Sequence, residues 1–185
     1  FLIVYVNPNQ EWFARVNGVA IPRSTLVSVL RADQIDAGLT RDEFDPAIKI
    51  FETAARLTDD EILRQVAHVV GVTVLPQEIH AELVEQLAPN IDIDVWSELD
   101  RERYAEIERQ YLDLRRLTSK ELEQRAEGQI LRRKIAVSLK DASFHDWLSM
   151  TRSAQNIELQ LDSETLEWVM TQLAQIRGLT PVTQR

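Results

Sequence analysis

The sequence predicts a mainly α-helical protein of the α+β class, an elongated set of helices with a small two-stranded sheet. Three observations predict it. Glycine is scarce, five residues in 185, which disfavours a turn-rich β protein. Five Ser/Thr-x-x-Asp/Glu boxes begin at Thr40, Thr58, Ser97, Thr118 and Ser143, each ahead of apolar residues at helical spacing. Such a box satisfies orphan N–H groups at a helix start. Good strand signals occur in only two places, residues 12–21 and 154–161. A lone strand leaves its backbone unpaired, so these two are expected to pair and bring the early and late chain together.

Residues 1–6, FLIVYV, are apolar throughout. They are too few to span a bilayer, which takes about 20 residues, but they can be the last turns of a longer transmembrane helix. The flank Asn7-Pro8-Asn9-Gln10-Glu11 carries no Lys or Arg, whereas cytoplasmic flanks are basic. The expectation is therefore an anchor at or before Phe1 whose following chain is extracytoplasmic, with Tyr5 and Trp12 as interfacial aromatics. The alternative is a buried N-terminal strand.

Residues 12–21, WFARVNGVAI, read as a strand broken by a turn at Asn17-Gly18. A helix follows from about Ser24, with Leu26, Val29 and Leu30 on one face and Gly38 closing it. Thr40 and Glu43 cap the next, where Phe44, Ile48, Phe51 and Ala55 recur at spacings of four, three and four as its apolar face. Thr58 and Glu61 open another, carrying Ile62, Leu63, Val66, Ala67, Val69 and Val70 and stopped by Gly71. Val72-Thr73-Val74 is an extended link. Pro76 suits a first helical turn, and Ile79, Leu83, Val84 and Leu87 follow at helical spacing before Pro89.

Residues 91–96 form a linker. Ser97 and Asp100 cap a highly charged helix to about Leu117 whose few apolar residues, Tyr104, Ile107, Tyr111 and Leu114, lie at spacings of three, four and three. That is a narrow coiled-coil-like seam. Thr118 and Glu121 start a helix to about Lys140 through Leu122, Ala126, Leu131, Ile135 and Leu139. Ser143 and Asp146 cap another with Phe144, Trp147, Leu148 and Met150. The period then changes to two at Ile157, Leu159 and Leu161, a strand pattern. Asp162 or Ser163 caps a last helix, with Leu166, Val169, Met170, Leu173 and Ile176 inward and Gly178 at its end.

Ordered along the chain, these segments resemble the SurA- and PrsA-type extracytoplasmic chaperone-foldases. Residues 14–21, ARVNGVAI, are similar to that family's A-x-V-N-G-x-x-I opening, and residues 61–79, EILRQVAHVVGVTVLPQEI, to its following helix-link-helix segment. Residues 131–135, LRRKI, resemble the helix that closes its N-terminal region. Residues 144–148, FHDWL, with residues 154–161 and Trp168, resemble its C-terminal helix and strand. The resemblance implies an N-terminal segment and linker over 1–10, one SurA-like helical domain over 11–178, and a tail over 179–185. Two departures stand out. Leu75 replaces the usual Ser-type cap before Pro76. Residues 136–143 bridge directly the two motifs between which the family often carries a parvulin prolyl isomerase domain. The implied activity is thus a chaperone scaffold without its enzyme, in the periplasm or at the cell surface.

Composition and motifs narrow the chemistry. A net charge of −9 argues against general nucleic-acid binding, and the run Arg132-Arg133-Lys134 reads as a solvated helix face. Zero Cys excludes disulfides and thiolate catalysis. His68, His80 and His145 lack metal-ligand spacing, and each reads as a satisfied or surface side chain. Asp92-Ile93-Asp94 lacks the remaining residues of a Ca²⁺ loop. Asp59, Asp60 and Glu61 read as helix-start acids. Ser143 and His145 are neighbours in sequence only, and a triad is defined by geometry. No catalytic residue, metal site or cofactor is expected.

The expected function is a non-catalytic, membrane-tethered chaperone module that holds unfolded or extended polypeptide. The alternative is an accessory structural subunit of a larger membrane complex, with the scaffold turned to one fixed partner. Apolar residues at helical spacing ordinarily face a core, but a thin stripe on an otherwise charged helix suits a partner helix or an extended peptide. The candidate polypeptide-binding residues are therefore Tyr104, Ile107, Tyr111, Leu114, Phe144 and Trp147.

Overall fold

Asn17 and Gly18 both take positive φ, 49° and 85°, as a two-residue hairpin turn of matching twist demands. They join β1 (Trp12–Val16) to β2 (Val19–Pro22) in a computed structural model that describes residues 11–91, 95–139 and 142–174. The N-terminal apolar run with Tyr5, the Asp92–Asp94 triplet, Lys140, Ile176, Gly178 and the tail lie outside the described residues. Helices α1 (Arg23–Thr40), α2 (Pro46–Ala67), α3 (Pro76–Leu87), α4 (Glu98–Arg115), α5 (Ser119–Ser138) and α6 (Phe144–Ser153) follow, then β3 (Ile157–Leu159) and α7 (Ser163–Ala174). The protein is mainly α with one small antiparallel sheet. The chain divides into two compact units, one of Phe1–Thr58 with Gln155–Arg185, the other of Asp59–Ala154.

In the first unit the sheet order is β2-β1-β3. The expected pairing of early and late strands forms, with Ala14 opposite Leu159 and Val16 opposite Ile157. The sheet has three strands because the two arms of the hairpin count separately, Val16 lying opposite Val19 and Ala14 opposite Ile21. α1 packs against the sheet and against α7. Phe13, Val16, Leu26, Leu30, Ile50, Val169 and Thr165 are fully buried. Asp162 caps α7, its carboxylate accepting the Thr165 N–H at 2.8 Å.

Three boundaries differ from the sequence reading. Gly38 does not end α1. A helix tolerates an internal Gly at about 1 kcal/mol, and α1 ends where Arg41 turns left-handed at φ 62° and bonds back to the Ala37 carbonyl. Thr40 does not cap α2, because its hydroxyl donates back to the Asp36 carbonyl at 3.1 Å. Asp45 does so instead, its carboxylate accepting the Ala47 N–H at 2.9 Å, with Pro46 at the first helical position. Nor does Thr58 start a helix. α2 runs unbroken through it, and its buried hydroxyl donates to the Ala54 carbonyl at 2.8 Å. A helix already formed leaves no orphan N–H there to cap.

The second unit holds the end of α2 and helices α3 to α6. Gly71 takes φ 72° after α2 ends, and the Val72 N–H returns to the Ala67 carbonyl at 2.8 Å. Val69 falls in this turn and is exposed rather than part of the apolar face. Leu63, Ala67, Val72, Leu131, Ile135 and Leu148 form one core cluster. Leu83, Leu122 and Ala126 form a second, and Val84, Ala88 and Tyr104 a third. The caps read at Ser97, Thr118 and Ser143 all form, accepting from Asp100, Glu121 and Asp146 respectively.

Candidate functional site

The seam on α4 is covered. Tyr104 is 5% exposed and sits with Val84 and Ala88, while Leu87, Ile91, Trp96 and Ile107 close around them. The Trp96 and Tyr104 rings lie 5.5 Å apart. His80 stands edge-on to both, at 5.1 and 5.6 Å, so its ring packs against aromatics at the helix surface. Burial pushes the Tyr104 hydroxyl up to about 12, and the charge of Glu108 one turn on adds to it. Tyr111 packs on Leu83, Leu122 and Ala126, with the Arg115 guanidinium 3.8 Å above its ring. Phe144 and Trp147, 6.1 Å apart, pack on the Leu63, Leu131 and Ile135 cluster. Of the six residues read as a binding surface, only Leu114 is more than half exposed, at 52%. A narrow stripe needs only a few apolar side chains to cover it, and α3 and α5 supply them.

The run Arg132-Arg133-Lys134 is not simply a solvated face. Arg132 makes two bonds to the Asp60 carboxylate, at 2.8 and 3.0 Å. Arg133, its side chain largely in water, reaches Glu82 at 2.6 Å. Lys134 donates to the Thr73 carbonyl at 2.8 Å and to Glu78 at 2.7 Å. Leu131 and Ile135 on either side are core. The LRRKI segment therefore ties α5 to α2, to α3 and to the link before α3. Glu78 also replaces the cap that Leu75 cannot provide, accepting the Leu75 N–H at 2.8 Å. The Lys134 ammonium first, and that N–H second, hold the Glu78 carboxyl below the usual range. Asp59, buried on α2, is bonded by Arg152 of α6 at 2.7 and 2.9 Å. The acids 59–61 are thus salt-bridge partners within a helix rather than helix-start charges.

One apolar surface lies on α2, within the first unit. Ile48 is 56% exposed and Phe51 53%. Ala55 is exposed on the same face, and Phe44, half-buried, lies in the link before α2. The inward residues are Ile50, Thr53 and Ala54, so Ile48, Phe51 and Ala55, expected on the apolar face, meet solvent, and Phe44 falls before the helix. The sequence signal was ambiguous because both sides of this helix are apolar. Periodicity finds apolar faces; it does not say which of two is covered.

His68 and His145 are exposed. Among the described residues no three His, Cys, Asp or Glu side chains gather as metal ligands, and no helix is long and apolar enough to cross a membrane. Comparison with protein-family models, with curated proteins and with solved structures found no match.

Proposed function

We propose that this protein is a non-catalytic chaperone module of the SurA/PrsA type, tethered on the outer side of a membrane through the segment at or before Phe1, that holds unfolded or extended polypeptide. The observation that carries the reading is the solvent-facing set Ile48, Phe51 and Ala55 along about two turns of α2, with half-buried Phe44 in the link before it. Solvent-facing Phe and Ile at helical spacing are where an amphipathic or extended segment docks. The size of the stripe favours many weak clients over one permanent partner. A stable interface takes about 1,200 Å² or more, and about two turns of one helix supply well under that. Clients would be held by reversible burial of their apolar groups, without a nucleotide.

The test is suppression of aggregation of a chemically unfolded client by the full chain, compared with its Ile48→Ser/Phe51→Ser variant. Suppression by the native chain and its loss in a variant of unchanged circular dichroism supports the reading. Equal behaviour of the two proteins sinks it. Recovery of one protein at fixed stoichiometry after crosslinking in native membranes would instead establish the accessory-subunit alternative.

A further inference from the structure

We infer that the segment this stripe selects is a cationic amphipathic one, with apolar residues on one side and Lys or Arg along their edges. The inference rests on the polypeptide-binding reading and names its ligand class. The argument is charge complementarity. The link that leads into α2 sets Asp42, Glu43 and Asp45 around Phe44, against the single cation Arg41, and all four are exposed. The hydrogen bond Asp45 makes leaves its charge in place: it accepts the Ala47 N–H. Further along, the cations of α2 are already committed. Lys49 is bonded to Glu52 at 2.7 Å, and Arg56 to Asp33 at 3.2 Å. A docking segment therefore meets apolar side chains in the middle and unbalanced carboxylates at the Phe44 end, on a chain whose net charge is −9. Acidic segments are repelled from such a rim, and cationic ones are both steered to it and paired there. A second copy of this chain would bring its own acids and is disfavoured for the same reason.

The experiment is fluorescence anisotropy with the full chain and three labelled peptides of one apolar pattern, carrying Lys, Gln or Glu at every polar position. The Lys peptide is expected to bind about tenfold tighter than the Glu peptide, as a few exposed charge pairs allow. That ratio should shrink toward one in about 0.5 M salt, where the screening length falls to a few ångströms. Asp42→Asn/Glu43→Gln should reduce the Lys-over-Glu ratio severalfold, and Phe51→Ser should weaken binding of all three. Equal affinity for the three peptides overturns the inference and leaves polypeptide binding standing. Binding of none, or a stripe-dependent dimer in sedimentation that excludes them, overturns both.

Discussion

Asn17 and Asn156 hold each other across 139 positions of sequence: the Asn17 N–H donates to the Asn156 carbonyl at 2.8 Å, and the Asn17 side-chain oxygen accepts the Asn156 N–H at 3.0 Å. The Asn17 amide also donates to Gln155 at 2.6 Å. One residue thus turns the hairpin at positive φ and fastens β3 to it. Asn is among the few non-glycine residues that tolerate this conformation. Asn17→Ala loses both roles and is expected to cost about 2 kcal/mol. Asn17→Gly keeps the turn and should fall between it and the native chain. Urea denaturation measures both, and a fully stable Asn17→Gly would show that the side-chain clamp contributes nothing.

Gly128 on α5 exists to admit Asp60. A Cβ there would lie 3.1 Å from the Asp60 carboxyl carbon, and Arg132 holds that carboxylate in place with two bonds. Helix propensity alone favours Ala over Gly by about 1 kcal/mol. Because the obstructing group is pinned, Gly128→Ala is expected to destabilise by about 1 kcal/mol despite that gain. In an Asp60→Ala background the obstruction is gone, so the same substitution should stabilise. A sign that fails to reverse between the two backgrounds would rule out this contact as the reason for the glycine.

Lys134 and Glu78 make stability depend on pH in a stated direction. The Glu78 carboxyl lies below its ordinary value of 4.5 in the folded protein. Its contribution is therefore complete above about pH 4.5 and is lost as pH falls through the folded value. The native chain should exceed Glu78→Gln in urea midpoint at pH 7, and the two should converge as pH is lowered below 4. A constant difference from pH 7 to pH 3 would mean that ionisation of Glu78 is not the cause.

Local signals gave the elements, and they failed where two physical solutions were open. Ser97, Thr118 and Ser143 were legible as caps because each follows a link and faces real orphan N–H groups. Thr40 and Thr58 carry the same pattern, but their hydroxyls back-bond to carbonyls three or four residues earlier, the competing use of Ser and Thr in helices. The pairing of β1 with β3 was legible because residues 12–21 and 154–161 carry the two good strand signals of the sequence. The site was not. Tyr104 and Tyr111 look like a partner seam until α3 and α5 cover them, and Ile48 and Phe51 look like core until Ile50 and Ala54 take the inward side. Both differences have one cause: tertiary partners decide which apolar face is buried.

Tyr104 allows the buried-seam assignment to be tested without a ligand. Its ring fills the space among Val84, Ala88 and Trp96, so Tyr104→Ala should cost about 3–5 kcal/mol, whereas Leu114→Ala on the same helix, 52% exposed, should cost well under 1. The hydroxyl supplies a second signature. Its pKa is raised from 10.0 to about 12 by burial. The folded state then favours the neutral phenol, and this contribution is complete below pH 10 and is lost as pH rises from 10 toward 12. Tyr104→Phe keeps the ring and removes the titration, so it should match the native chain at pH 7 and hold its urea midpoint better between pH 10 and 11.5. If Tyr104→Ala were as mild as Leu114→Ala and the alkaline behaviour of Tyr104→Phe were native, the α4 seam would be open rather than covered by α3.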